Sequence, residues 1–384
     1  MNTITSVFDP ATYANVRLPI MRAETLPPLA YISEEFYQRE VDRIFMREWN
    51  FLGRVDRIPN PGDYFTVNFV GVPLIITRDK GGSVHAFANT CQHRGSEIAT
   101  GEGNCRVFTC PYHGWTYALD GKLRGAPGME ETKDFDKSRV SLREVRLETW
   151  GGFIFVNFDK NAQDLLSFLG NLPDELASYD CTGMTTTTLW HYEMASNWKL
   201  FFENAMEEYH VPMVHNKSIS ALQVSHGLIE AKGNWECIRE VHEGTRALLE
   251  EDRQHTLPQI KTLKGHAAAG SHYIGIYPST TFAMTKDCMW WLELHPQGPL
   301  RTKVVLGACF PKETVALPDF KDKLNYYHKR WRQSTQEDIH ISEVQQRGLS
   351  SPLARPGRYS HLEPFVHRFA NWVLDRVLGD VKRR

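Results

Sequence analysis

The sequence predicts an α+β protein in two parts: an all-β unit, and then an antiparallel sheet with helices segregated from it. Three observations predict this. The chain has 384 residues, too many for one ordinary core. Between Pro59 and Phe158, short apolar runs alternate with turn residues. Beyond Asn161, helical periodicities are interleaved with longer strand-like runs.

In chain order, residues 1–50 read as a helical segment expected to pack on the second unit. Ser33 can cap a helix over 33–50, and Tyr37, Val41, Ile44 and Phe45 fall on one face of it. The β unit is placed at 51–160, with strands over 64–70, 73–78, 84–89, 115–119 and 152–158. Asp79-Lys80-Gly81-Gly82 and Asp120-Gly121-Lys122 supply turns. The second unit is placed at 161–384. It holds a strand over 185–194, a helix from Asn197 to about His210, and strands over 272–284, 289–295 and 303–310. Helices follow over 317–332, 336–348 and 364–377.

Composition narrows the function classes. A chain that is 41% hydrophobic and 23% charged is neither disordered nor a membrane protein. Net charge is −2, and the only block of like charge is the tail Lys382-Arg383-Arg384, so nucleic acid is not expected as a partner. No apolar run approaches the roughly 20 residues of a membrane helix, and the first residues lack a secretory apolar core. A cytoplasmic location is expected. The seven cysteines are odd in number and scattered, a poor disulfide framework; clustered ones then point to metal.

The clustered ones are Cys91-Gln-His93 and, sixteen residues on, Cys110-Pro-Tyr-His113. Each half offers one thiolate and one imidazole where a strand gives way to a turn. Two Cys and two His suit a structural zinc ion or a [2Fe–2S] cluster with Cys on one iron and His on the other. Zinc modules more often pair Cys with Cys and His with His. One of each per loop fits loops that both span two irons. Gly95, Pro111 and Gly114 would let backbone N–H groups approach cluster sulfurs. Cys105, between the halves, reads as a buried strand cysteine.

The second constellation runs Asn197-Trp-Lys199, Glu203-Asn204, Glu207-Glu-Tyr-His210, then His215. Histidines five apart do not share a helix face. Pro212 between them should end the helix near His210, so that the chain can turn and bring His215 back. Two His plus one carboxylate leave open positions on an iron, the arrangement of non-haem Fe(II) oxygenases.

Cys-x-His-Arg-Gly and Cys-Pro-Tyr-His-Gly-Trp resemble the two halves of the Rieske motif in ring-hydroxylating and demethylating Rieske non-haem iron oxygenases. The stretch from Asn197 to His215 resembles the catalytic helix of the same family. The resemblance covers roughly residues 30–375. It implies a terminal oxygenase subunit with a [2Fe–2S] cluster on Cys91, His93, Cys110 and His113, and a mononuclear Fe(II) on His210 and His215. The family takes its third ligand from a late helix. Here Glu337-Asp338 precedes Glu343-Val344-Gln345-Gln346-Arg347-Gly348-Leu349, which matches that helix and puts Asp338 in the ligand position, with Glu337 and Glu343 as competitors. Glu207 and Asn204 take catalytic positions on the same resemblance. Family members commonly carry Asp where Glu207 stands, and some that act on quaternary ammonium compounds carry Glu. Trp290 and Trp291 could form part of an aromatic cage for such a cation, but the plainer reading of a core strand is favoured.

The activity implied is O₂-dependent hydroxylation of a small organic substrate, most simply an aromatic compound. The alternative is oxidative N- or O-demethylation of a small substrate such as a quaternary ammonium compound. No Gly-x-Gly-x-x-Gly follows a strand, so electrons from NAD(P)H are expected through a separate reductase, in some members with a ferredoxin. A homotrimer is implied, with the cluster of one chain facing the iron of its neighbour. A Rieske electron carrier without oxygenase chemistry and a zinc-stabilised binding protein are the competing classes. The second constellation disfavours the first of these.

Overall fold

The computed structural model describes residues 6–216, 218–219 and 225–379. The basic tail Lys382-Arg383-Arg384 lies outside them. The chain divides into two compact units, one made of 51–165 and the other of 1–50 with 166–384. No helix is long and apolar enough to cross a membrane, among the described residues.

The smaller unit is all-β. Its main sheet has seven strands in the order Asn50–Arg54, Phe153–Asn157, Glu144–Trp150, Val84–Ala88, Val72–Arg78, Asp63–Phe69, Glu102–Asn104. A three-stranded sheet of Phe108–Thr109, Thr116–Tyr117 and Leu123–Gly125 carries the second Cys/His loop. Phe87, Ile98, Phe108, Trp115, Tyr117 and Leu142 form the apolar floor beneath both loops.

The larger unit is built on a fully antiparallel seven-stranded sheet. Its order is Met184–Met194, Arg301–Pro311, Met289–Gly298, Thr280–Met284, Gly270–Ile276, Trp235–Val241, Ser225–Leu228. The helix Trp198–Ala205 packs on the central strands, on the long helix Phe320–Leu349 and on the helix Pro364–Leu378.

Several elements differ from the sequence expectation. The helix capped by Ser33, whose Oγ accepts from Phe36 N, ends at Glu40 and continues only as a wider turn to Phe45. The strand expected over 272–284 is two strands, split where Pro278 removes a ladder donor. The two helices expected over 317–332 and 336–348 are one helix of 30 residues. Ser334 and Thr335 at the expected break are weak helix formers, but both are buried, and Ser334 Oγ receives a hydrogen bond from Arg330 one turn earlier. The strand Trp235–Val241 lies in a stretch where no expectation had been formed.

The motif Asn-Trp-Lys is architectural. Asn197 caps its helix by accepting from Lys199 N, and its amide donates to Tyr31 O and Pro299 O. Lys199 Nζ lies 2.5 Å from Glu40 Oε1, both fully buried, and Trp198 Nε1 donates to the other Glu40 oxygen. Glu203 accepts from Tyr31 OH at 2.9 Å. These bonds fix the helix register that delivers the next ten residues to the site.

Candidate metal centres and active site

In the smaller unit, two loops make the same turn. Gly95 N donates to Cys91 O, and Gly114 N donates to Cys110 O. Both glycines have positive φ, +78° and +71°, which a side chain would resist. The turns bury Cys91 and Cys110 and set the His93 and His113 rings with centroids 4.7 Å apart. His93 Nδ1 is buried without a hydrogen-bond partner. Tyr117 OH sits 3.3 Å from Cys91 Sγ. Burial pushes the Cys110 thiol up. Contacts from Tyr112 N, Cys91, His113 N and Ser96 outweigh it and hold the thiol below its usual range.

The donor set discriminates between one metal ion and two. Four ligands on one tetrahedral zinc ion would have mutual spacings of roughly 3.3–3.8 Å. Among the described residues, the group of three or more ligand atoms lying within 4.8 Å of one another is His210, His215 and Asp338. The four loop residues do not close to that degree. They fit a binuclear cluster and not a single zinc ion.

In the larger unit, the helix that begins at Trp198 ends at Ala205, not near His210 as the sequence suggests. A second short helix, Val211–Val214, separates the two histidines, with Pro212 tolerated in its first turn. The break comes earlier because Glu207 folds back: its Oε2 accepts from His210 N at 3.0 Å and its Oε1 lies 2.7 Å from His210 Nδ1. His215 Nδ1 lies 2.7 Å from Glu337 Oε2, and Glu337 also accepts from Ser218 Oγ and Gln333 Nε2. Burial pushes the Glu337 carboxyl up, but hydrogen bonds from Ser218, His215 and Gln333 hold it below its usual range.

A carboxylate on each Nδ1 assigns the proton to that nitrogen. Each Nε2 then presents a lone pair. His210 Nε2 and His215 Nε2 lie 3.7 and 3.0 Å from Asp338 Oδ1. That oxygen is nonetheless buried without a hydrogen-bond partner. Three electron-pair donors facing one point repel unless a cation lies between them. With the carboxylate–histidine pairs behind them, they fit a divalent metal ion.

A cavity of about 270 Å³ opens on these three residues. Asn204 and Glu207 line it, and the Asn204 side chain has no hydrogen bond to another described residue. Its walls include Ile238, Tyr273, Phe282, Trp290 and Leu292, and four ionisable residues: Glu208, Glu240, Arg246 and Arg330. Arg246 Nε pairs with Glu240 at 2.9 Å. Burial, reinforced by the facing Glu240 carboxylate, pushes Glu208 up to about 8.

Of the two cage tryptophans, Trp290 lines the cavity. Trp291 is absent from its lining, fully buried, and donates to Glu293. The Trp290 face already carries the Arg330 guanidinium, 4.9 Å from the ring centroid. The plainer reading of a core strand therefore holds for Trp291, and the Trp290 ring has its cation within the chain. Sequence reasoning missed Glu208, Glu240, Arg246, Tyr273 and Arg330. It weighed Glu337 as a ligand, whereas the structure sets it behind His215. The pair Glu337-Asp338 held that signal, since adjacent acids on a helix can serve one site in two ways.

Comparison with known proteins agrees with this geometry. Residues 183–379 match the model of the ring hydroxylating alpha subunit (catalytic domain), and residues 48–136 match the Rieske [2Fe-2S] domain. Chloroplastic choline monooxygenase of Spinacia oleracea is 28% identical over 378 residues, covering 95% of this chain and 80% of its own. The glycine betaine monooxygenase oxygenase subunit of Chromohalobacter salexigens is 29% identical, with 92% and 86% covered. Among solved structures, a quaternary ammonium Rieske monooxygenase in complex with L-carnitine superposes with TM-score 0.78 at 26% identity, covering 92% of this chain and 96% of that one. Naphthalene 1,2-dioxygenase shares the fold, with TM-score 0.78 at 20% identity and 95% of each chain covered. This chain belongs to the Rieske non-haem iron oxygenases as an alpha subunit, an oxidoreductase that carries a Rieske [2Fe–2S] cluster and a mononuclear iron.

Proposed function

We propose that the chain is the terminal oxygenase of a multicomponent system that oxidises a small charged substrate, most simply by hydroxylating an N-methyl carbon. The observation that carries this reading is the cavity lining. Three charged side chains, Glu240, Arg246 and Arg330, and the polar Glu208 carboxyl beside the metal ligands suit a polar substrate and penalise an apolar polycyclic one, whose arrival would strip water from them unrepaid. Relatives described as choline and glycine betaine monooxygenases are in keeping with it. Hydroxylation of an aromatic substrate that itself bears a charged group is the second reading, and the same lining admits it.

In this proposal Cys91, His93, Cys110 and His113 hold the cluster in a domain at 51–160, and His210, His215 and Asp338 hold the iron in a domain at 161–384, with 1–50 packed on the latter. So held, the cluster would supply single electrons and the iron would supply O₂ activation. Glu207 and Glu337 hold the Nδ1 protons of the two histidines and so keep both Nε2 lone pairs aimed inward. The Asn204 amide, in the cavity wall, can orient a polar group of the substrate or a water molecule. One oxygen atom enters the substrate and the other leaves as water, with two electrons from NAD(P)H. A hydroxymethyl group on nitrogen then departs as formaldehyde.

The reductase is a separate protein, with or without a ferredoxin. A head-to-tail homotrimer would bring His113 of a second copy to Glu207. A solved relative is described as showing inter-subunit electron transfer. None of the seven cysteines forms a disulfide, in keeping with a reducing compartment such as the cytoplasm.

The test is NADH- and reductase-dependent O₂ uptake across a panel of methylated amines, betaines and aromatic acids, scored by product mass. Formaldehyde release from an N-methyl compound is expected. Turnover confined to uncharged aromatics refutes the proposal.

A further inference from the structure

The charges in the cavity do not cancel evenly. Arg246 has its carboxylate in Glu240, at 2.9 Å. Arg330 has none. It is 6% exposed and lines the same cavity. Its Nε donates to Arg246 O at 3.1 Å and its Nη1 to Ser334 Oγ at 2.7 Å. Those two bonds, with Trp290 stacked on the guanidinium face, fix the group in place. Its Nη2 donates to no described residue, and among the described residues no carboxylate lies within ion-pairing distance, although Asp338 and Glu240 lie near enough to favour its charge. A buried guanidinium whose hydrogen bonds go only to neutral groups, with its nearest carboxylates beyond ion-pairing reach, is an arrangement folding alone does not favour, because a buried charge without a direct partner is destabilising. A planar fork with a free edge in a ligand cavity suits a carboxylate.

We propose that Arg330 is the anchor for a carboxylate group of the substrate. The inference rests on this cavity being the substrate site, and it narrows the substrate class: a carboxylate-bearing compound is preferred over its alcohol counterpart. It also explains why Trp290 is unavailable to a substrate cation. The ring face at that wall holds Arg330, so an ammonium group, where the substrate has one, goes to another wall.

The test separates the two charges with four probes of nearly equal shape: glycine betaine, choline, and their uncharged-carbon isosteres dimethylbutyrate and dimethylbutanol. Each is titrated calorimetrically and without O₂ into the oxygenase loaded with both metal centres. Each carboxylate is expected to bind at least tenfold tighter than its alcohol partner. Arg330→Gln is expected to abolish that difference. Arg330→Lys, which keeps charge but not the fork, is expected to retain part of it, and serves if the Gln variant fails to fold. Equal binding of carboxylate and alcohol, binding of neither, or a preference unchanged in the variants overturns the assignment. The ammonium contribution is read on the other axis, betaine against dimethylbutyrate. Failure of the quaternary-ammonium reading therefore leaves the carboxylate result interpretable.

Discussion

Replacing Glu337 by Ala tests whether the carboxylate behind His215 acts on the metal through the ring and not as a ligand. Glu337 Oε2 lies 2.7 Å from His215 Nδ1, and Ser218 and Gln333 hold it there. Its removal leaves three donor atoms, His210 Nε2, His215 Nε2 and Asp338 Oδ1, in place. What is lost is the charge-assisted bond that fixes the tautomer and raises the basicity of one ligand. Such partners are worth about 10–100-fold in metal affinity, or about 1.4–2.7 kcal/mol. Asp338→Ala removes a donor outright and should empty the mononuclear site, lowering iron by about one per chain and ending turnover. The assay is iron retained against a graded chelator, with acid-labile sulfide as the internal control. Glu337→Ala should fall between wild type and Asp338→Ala, sulfide should be unchanged in all three, and Glu337→Gln should recover part of the affinity. Retention within twofold of wild type would refute the orienting role, and loss as complete as that of Asp338→Ala would make Glu337 a ligand.

Three further outcomes follow from the structure. Cys91→Ser should abolish the visible absorption of the cluster and reductase-driven turnover while sparing the mononuclear iron; a folded variant with a full spectrum would contradict the cluster assignment. Lys199→Met strands the Glu40 carboxylate in a fully buried site and should destabilise by about 3–5 kcal/mol, whereas the double change Lys199→Met with Glu40→Leu should recover at least half; urea unfolding with equal losses in single and double variants would deny the pair. Glu203 is pushed up to about 8 by burial, with Glu363 and Glu40 raising it further against Tyr31 and Lys199. The folded state therefore holds a proton that the unfolded state gives up near its ordinary value of 4.5, so this stabilisation is complete below that pH and is lost as pH rises through about 8. Glu203→Gln should flatten that decline by up to about 1.4 kcal/mol per pH unit; parallel stability profiles from pH 5 to 8 would count against it.

The metal sites were legible because their chemistry is written in short range. Each Rieske loop places a thiolate, an imidazole and a turn glycine within five residues. His210 and His215 straddle a proline, which marks a helix start between them and sits in the first turn of the short helix there. Asp338 was reached by resemblance alone, since nothing local distinguishes it from Glu337 or Glu343 on the same helix. The long antiparallel sheet was legible in outline through its β-branched and aromatic runs, but not at Trp235–Val241, whose Glu236, Arg239 and Glu240 interrupt the apolar alternation. Those interruptions have structural causes. Glu236 pairs with Arg368 and Glu240 with Arg246, partners more than a hundred residues away in one case and across a loop in the other. The early end of the catalytic helix was likewise hidden, because the residue that ends it, Glu207, is a good helix former that leaves the helix only to hold His210.

The substrate-facing wall illustrates why specificity is harder to read than chemistry. Arg330 lies on a helix, Tyr273 and Trp290 on two different strands, and Glu208 in the break between helices. No spacing rule links them, and each has a bland reading in isolation: a helix arginine, a core tyrosine, one acid of a pair. Only when the sheet brings them to one cavity does the imbalance between Arg246, which is paired, and Arg330, which is not, become visible. The metal ligands and their carboxylate partners can therefore stay constant while this wall changes. An alpha subunit of the same fold that lacks the guanidinium would keep the same oxygen chemistry. It would lose the rigid fork that selects a carboxylate, so the identity of the substrate would follow the residue at this position and not the iron site.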